Sequence, residues 1–256
     1  MSSSIHVPPP FAPPAMSEVE RLGNVFTAPS KTFAEIAGGR RSWWLPFVVM
    51  CLFSYLLFGA ITLKVSWRRV AENTLHADTA TMERLEQAPP ESRAQSIEQV
   101  TRAMQYSMMG SFMASPVVIL LQLLIVAGVL MGTVNFIFGG KATFSQSLAV
   151  ATFSFVPLVI KSGLGAAVTW FMVPESFNLQ NFAPTSIGAF LSPTETSAWL
   201  YKLATALDVT TIWCMVLLGM GFATIGKVKR SSGYIAVFGW WGLITAIGVA
   251  WAAARG

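Results

Sequence analysis

The sequence predicts an all-α polytopic membrane protein with five transmembrane helices, N-terminal interfacial helices and an extramembrane helical hairpin. Three observations predict it. Pro116 to Phe138, PVVILLQLLIVAGVLMGTVNFIF, contains no acid, no base and no histidine; as a helix at about 1.5 Å per residue it is about 35 Å long, enough to cross a hydrocarbon core of about 30 Å with some tilt. Only 11% of the 256 residues are charged against 54% hydrophobic, and the mean hydropathy is +0.57, whereas an ordinary soluble domain has about 25% charged residues. Four further apolar runs, at about 44–63, 148–173, 204–225 and 234–254, resemble the first at 116–138.

Residues 1–16 are rich in Ser and Pro, including Pro8, Pro9, Pro10, Pro13 and Pro14. They cannot build a packed core and read as a disordered or polyproline-II tail. No apolar stretch suited to a cleaved signal lies there, so the first span is expected to serve as the insertion signal.

Order begins at Ser17-Glu18-Val19-Glu20, a capping-box pattern in which hydroxyl and carboxylate satisfy each other's orphan amides. Val19, Leu22, Val25 and Phe26 then recur at helical spacing. A second short helix, Ser30 to Ala37 with Phe33 and Ile36 on one face, stops at Gly38-Gly39. These helices, 17–39, are expected on the membrane surface, with Arg40 and Arg41 at the headgroups and Trp43 and Trp44 in the aromatic belt.

The first span ends at Lys64, and a charged connection follows. Lys64 to Arg102 holds six bases and six acids, a balanced mix suited to a solvated helical surface. Pro89-Pro90 divides it, and Ser92-Arg93-Ala94-Gln95 reads as a capping box opening a helix with Ile97, Val100, Met104 and Met108 on one stripe. The predicted object is an αα-hairpin inserted over 64–110. After the second span, Gly139-Gly140-Lys141 makes a tight return and Thr143-Phe144-Ser145-Gln146 opens the next helix. Phe144 to Val173 is too long for one straight span, and Pro157 is expected to kink it. Residues 174–203 form a second connection, and Gly226 to Arg230 joins the last two spans.

Five spans put the termini on opposite sides. With the N-terminus inside, Lys31, Arg40, Arg41, Lys141, Lys227, Lys229 and Arg230 face the cytoplasm, against Lys64, Arg68, Arg69, Arg102, Lys202 and Arg255. The tight turns at 139–141 and 226–230 carry the bias, so the N-terminus is expected in the cytoplasm and the C-terminus across the cell (inner) membrane.

Lys161 is the one strongly charged side chain placed inside a span, and an intramembrane ion is a functional candidate. Its position a turn past Pro157 also allows the stem to snorkel to the cytoplasmic interface. Ser154 lies seven residues earlier, so a Ser-Lys nucleophile pair can be drawn, although no oxyanion-hole pattern accompanies it. Asp208 lies near the outer start of the fourth span, where a carboxylate favours a helix N-terminus. Gly128 and Gly132 form a GxxxG pattern read as packing within the monomer in preference to dimerisation, and Gln122 and Asn135 are expected to bond across helices. His6 and His76 fall in tail and loop, and Cys51 and Cys214 fall in spans without CxxC spacing. No catalytic, cofactor-binding or metal-ligating residue is therefore assigned, no cofactor is expected, and no basic and aromatic groove suggests nucleic acid.

The order of features resembles the Yip-domain family, five-span membrane proteins named in eukaryotes for interacting with Ypt/Rab GTPases. Pro29-Ser30-Lys31-Thr32-Phe33 with Ile36, then Trp43-Trp44-Leu45-Pro46, carry the likeness. Gly139-Gly140-Lys141-Ala142-Thr143-Phe144 leading to Phe155-Val156-Pro157, and Leu207-Asp208 with Trp213, continue it. It spans about 18–254. The charged insertion and the absence of a DLYGP-type motif set the chain apart from eukaryotic members, and it looks like a bacterial-type one. The leading reading is a non-enzymatic integral membrane protein of the Yip type that binds partners or organises membrane, in contact with the bilayer and with a protein partner through the 64–110 hairpin or the N-terminal helices. A small-solute transporter or channel component is the competing reading, since helices interrupted near Pro157 and Lys161 would suit a midplane site.

Overall fold

A computed structural model describes residues 16–87 and 89–255. Apart from Met16, the Ser/Pro-rich tail lies outside the described residues. Helices account for nearly all of the regular structure, with no strand among the described residues. Five are long and apolar enough to cross a membrane: Trp44–Lys64, Ser115–Ile137, Phe144–Phe171, Val209–Gly226 and Arg230–Ala254.

Two short helices precede the first span, α1 (Glu18–Thr27) and α2 (Pro29–Ala37). Ser17 and Glu20 form a complete capping box at the start of α1. Both helices turn their apolar faces into the protein: Val25, Phe33 and Ile36 are fully buried in a core shared with Val150, Phe153, Leu217 and Phe222. Protein thus covers the apolar stripe of 17–39. Gly221 leaves room for Val150 and Phe33 together, since a Cβ there would collide with the Val150 side chain and lie 3.2 Å from the Phe33 ring.

The first span, α3 (Trp44–Lys64), leads through Ser66, at φ 68°, into the extramembrane insertion. This comprises α4 (Trp67–Ala77), α5 (Thr79–Glu86) and α6 (Pro90–Met113), three helices where two were expected. Helix α6 opens at Pro90 instead of at a Ser92 capping box, since a proline suits the first helical turn and the Ser92 hydroxyl donates to the Pro89 carbonyl at 3.1 Å. It runs to Met113, past the expected end at 110. A second core of Leu57, Ile61, Trp67, Val70, Ala166 and Phe177 seats the insertion on the bundle, with the Trp67 and Phe112 rings 5.1 Å apart.

The second span is α7 (Ser115–Gly132), finished by a π-helical turn over Thr133–Ile137. The third is two helices, α8 (Phe144–Ser154) and α9 (Leu158–Phe171), separated at Phe155–Pro157; proline supplies no amide hydrogen to continue the ladder. Thr143 and Gln146 complete a capping box on α8. The fourth span begins at 209, later than the expected 204, because α10 (Ala198–Ala206) is a separate helix and Asp208 caps α11 (Val209–Gly226) from an extended backbone. The last, α12 (Arg230–Arg255), starts four residues before the expected 234, since Lys227 at φ 54° closes α11 and leaves only a short turn.

Small residues let α11 and α12 approach closely. A Cβ on Gly233 would collide with the Gly219 carbonyl, and one on Gly219 with the Tyr234 ring. Gly128 and Gly132, in contrast, have nothing within 4 Å of an added Cβ. The packing role read into the GxxxG pattern is therefore filled by a different pair of helices.

Candidate functional site: a saturated ion pair between two membrane helices

Asp208 lies where α10, the connection over 174–197 and α11 meet. An aspartate in extended conformation just before a helix accepts from the amides of the first turn. Here Oδ1 accepts from the Thr211 amide at 2.9 Å and the Thr210 hydroxyl at 2.5 Å. Oδ2 accepts from the Lys161 ammonium of α9 at 2.9 Å and the Thr185 hydroxyl at 2.5 Å. A carboxylate has about four lone-pair sites. Four donors fill them.

Burial matches that count, since Asp208 is 2% exposed and the Lys161 side chain 18%. The Lys161 ammonium also stands 5.5 Å from the Phe182 ring centroid. This partner holds the ammonium toward the opposite end of the bundle from the 139–141 return. The same bond removes the Ser154–Lys161 pair, whose serine is fully buried with no hydrogen-bond partner of its own.

The 174–197 connection is tied down around the pair. The Val209 amide donates to the Thr185 carbonyl at 2.9 Å and the Ile187 amide to the Leu207 carbonyl at 3.3 Å. Asn178 and Asn181 both donate to the Tyr201 hydroxyl, at 2.9 and 2.7 Å, and Ser186 donates to Asn181 at 2.8 Å. Chemically, the arrangement joins α9, α11 and this loop, and it presents no free carboxylate oxygen. Among the described residues no three His, Cys, Asp or Glu side chains converge to hold a metal ion.

Beside the pair, two apolar crevices meet. One, about 220 Å³, lies among Met50, Ser54, Ile119, Ser162 and Phe182; the other, about 430 Å³, runs between α7, α11 and α12 past Val129, Cys214 and Trp241. Gln122, Phe155 and Leu158 line both. Gln122 has no hydrogen-bond partner among the described residues, and Asn135 spends its amide on both backbone groups of Ala142 at 2.9 Å, closing the return after α7. Neither bonds across helices as expected.

At the other end a buried arginine escaped the sequence reading. Arg21 is fully buried; it pairs with Glu18 at 3.0 Å and Glu35 at 3.5 Å, donates to the Arg40 carbonyl at 3.0 Å and lies 4.6 Å from the Phe153 ring centroid. Its spacing four residues before Val25, on the buried stripe, was the available signal. Arg40 joins this cluster, 3.7 Å from Glu18 and 3.8 Å from Glu35, so it is held by protein acids as well as half exposed. Arg41 is exposed and donates to the Ser145 hydroxyl at 3.3 Å; Trp43 packs edge-on to Phe47, and Trp44 is 55% exposed.

In comparison with known families, the model described as the Yip1 domain fits residues 23–252. No curated protein and no solved structure matches the chain.

Proposed function

From the premise that this chain belongs to the Yip1 domain family, we propose that it is a non-enzymatic membrane protein that binds a protein partner or organises the bilayer through its extramembrane helices. The multi-pass character rests on five apolar helices of spanning length. The observation that carries the proposal is the saturation of Asp208: the charged pair between α9 and α11 serves to hold helices, and it leaves the recognition surfaces at the two ends of the bundle. One is the insertion α4–α6, with Tyr106 63% exposed on its outer helix; the other is α1–α2, with Val19 71% exposed.

The proposed orientation puts α1–α2 in the cytoplasm and the C-terminus across the cell (inner) membrane, in line with the bases on the short turns. Crosslinked co-purification from native membranes tests the proposal. A recurrent protein partner lost in Tyr106→Ala or Val19→Asp is the expected result; a bound small solute with no recurrent protein overturns it.

A second reading is favoured by Gln122, a polar group without a partner between two crevices. In that reading the chain is part of a small-solute transporter or channel. Flux in proteoliposomes that falls on Gln122→Leu or Lys161→Met, with folding retained, would select it.

A further inference from the structure

The end of the bundle that carries α1 and α2 has an uneven distribution of charge. Lys31, Arg41, Lys141, Lys227, Lys229 and Arg230 are all exposed there, and none is in an ion pair among the described residues. The acids at that end are engaged: Glu18 and Glu35 hold Arg21 and Arg40, and Glu20 closes the Ser17 cap. The cations therefore face outward without internal counter-ions.

Four of them sit on two turns that are fastened together. The Lys141 amide donates to the Gly226 carbonyl at 3.2 Å, and Asn135 holds Ala142 from the other side. Lys141 is thereby set against Lys227, Lys229 and Arg230 on a fixed frame, and the bond from Arg41 to Ser145 brings a fifth base to the first turn of α8. Apolar side chains border this frame: Phe136 is 90% exposed, Ile137 71% and Phe144 44%. A soluble polyanion would gain nothing from those three. A lipid uses both, placing its phosphates among the bases and its chains along the aromatic and aliphatic rim.

We propose that this end of the bundle is a headgroup site for a membrane lipid bearing two or more phosphates. Bases gathered between helices on one side of a membrane attract such headgroups, each contributing near the surface and falling off within a Debye length. A divalent headgroup spans both turns, whereas a monovalent one engages a single turn. The site is independent of the partner and transport readings and could stand if either failed.

The full-length protein is reconstituted in phosphatidylcholine nanodiscs containing either cardiolipin or twice the mole fraction of phosphatidylglycerol, so that total phosphate is equal, and lipid retained after detergent transfer is read by native mass spectrometry. Cardiolipin should be retained in preference, and the triple variant Lys141→Gln, Lys229→Gln, Arg230→Gln should lower that retention by about tenfold or more. A triple variant at the other end, Lys64→Gln, Arg84→Gln, Lys202→Gln, removes the same charge and should retain cardiolipin as the parent does. Equal retention of the two lipids, or equal loss in the two triple variants, would reduce the effect to diffuse net charge and overturn the site. Displacement of cardiolipin by millimolar tripolyphosphate as effectively as by cardiolipin itself would overturn the lipid assignment in favour of a soluble polyanion.

Discussion

The Lys161 ammonium and the Asp208 carboxylate, 47 positions apart in sequence, meet at 2.9 Å. The same carboxylate caps α11 and receives Thr185 from the 174–197 connection. One side chain thus ends a helix, neutralises a charge from a second helix and fastens a loop.

Removing one member of that pair strands the other. Lys161→Met or Asp208→Asn is expected to cost about 3–5 kcal/mol, the usual penalty for an uncompensated buried charge, while the double variant should recover much of it. Asn keeps the cap, so the loss in Asp208→Asn belongs to the Oδ2 contacts with Lys161 and Thr185. Thermal unfolding in detergent measures all three. Single variants that melt like the parent would show that the pair does not hold the helices together.

The glycines separate two kinds of small-residue contact. Gly233→Ala and Gly219→Ala place a methyl against backbone and a tyrosine ring and should destabilise by about 1–3 kcal/mol through overpacking. Gly128→Ala and Gly132→Ala meet open space and should change the monomer by less than about 0.5 kcal/mol. Denaturation of the four variants side by side checks the order.

Arg21→Met should release the N-terminal helices. With the guanidinium gone, Arg40 is the one cation left to Glu18 and Glu35 among the described residues, and the expected cost is about 3–5 kcal/mol. Hydrogen exchange should rise over 18–37 while α7 and α12 stay protected; unchanged protection of α1 and α2 would count against the cluster as their anchor.

The insertion should respond to acid. The Arg68 fork, at 2.8 and 3.0 Å, and then Arg102, at 2.6 Å, hold the Glu98 carboxyl down at about 2 from its usual 4.5. A lowered folded-state value means the stabilisation is whole above about pH 4.5 and fades as the pH falls toward 2. Spin labels at His76→Cys and Glu91→Cys should report one distance from pH 5 to 8 and a broader distribution near pH 3. Glu98→Gln should broaden it at neutral pH.

Orientation is read by labelling. Ser30→Cys and Ala253→Cys, each on a Cys51→Ala, Cys214→Ala background, should react with an impermeant thiol reagent from opposite sides of the membrane. Labelling of both from one side would rule out five crossings.

The spans were legible because apolar length is a local property: the run from Pro116 needs no partner to be read. So was the likeness to the Yip1 domain, carried by short motifs at turns. Helix ends were less so. Asp208 was visible as an acid at a helix N-terminus, yet its cap moved the start of the fourth span past Ala204, Thr205, Ala206 and Leu207, which hydropathy had counted in. Pairing was not legible at all. Lys161 and Asp208 looked like separate features, one tied to a snorkelling stem and the other to a helix dipole, because nothing in a linear pattern reports which ions lie at the same depth. GxxxG misled for a related reason: Gly128 and Gly132 have the spacing, but Gly219 and Gly233 have the neighbours.

Phe33 is seated beside Gly221, nearly two hundred residues further along the chain. During synthesis the leading helices emerge long before their socket exists, and they must wait, apolar face uncovered, until the fourth span has entered the membrane. Their docking is then a late event that reports completion of the bundle, and a polypeptide truncated before that span would leave a sticky leader for chaperones or proteases to find.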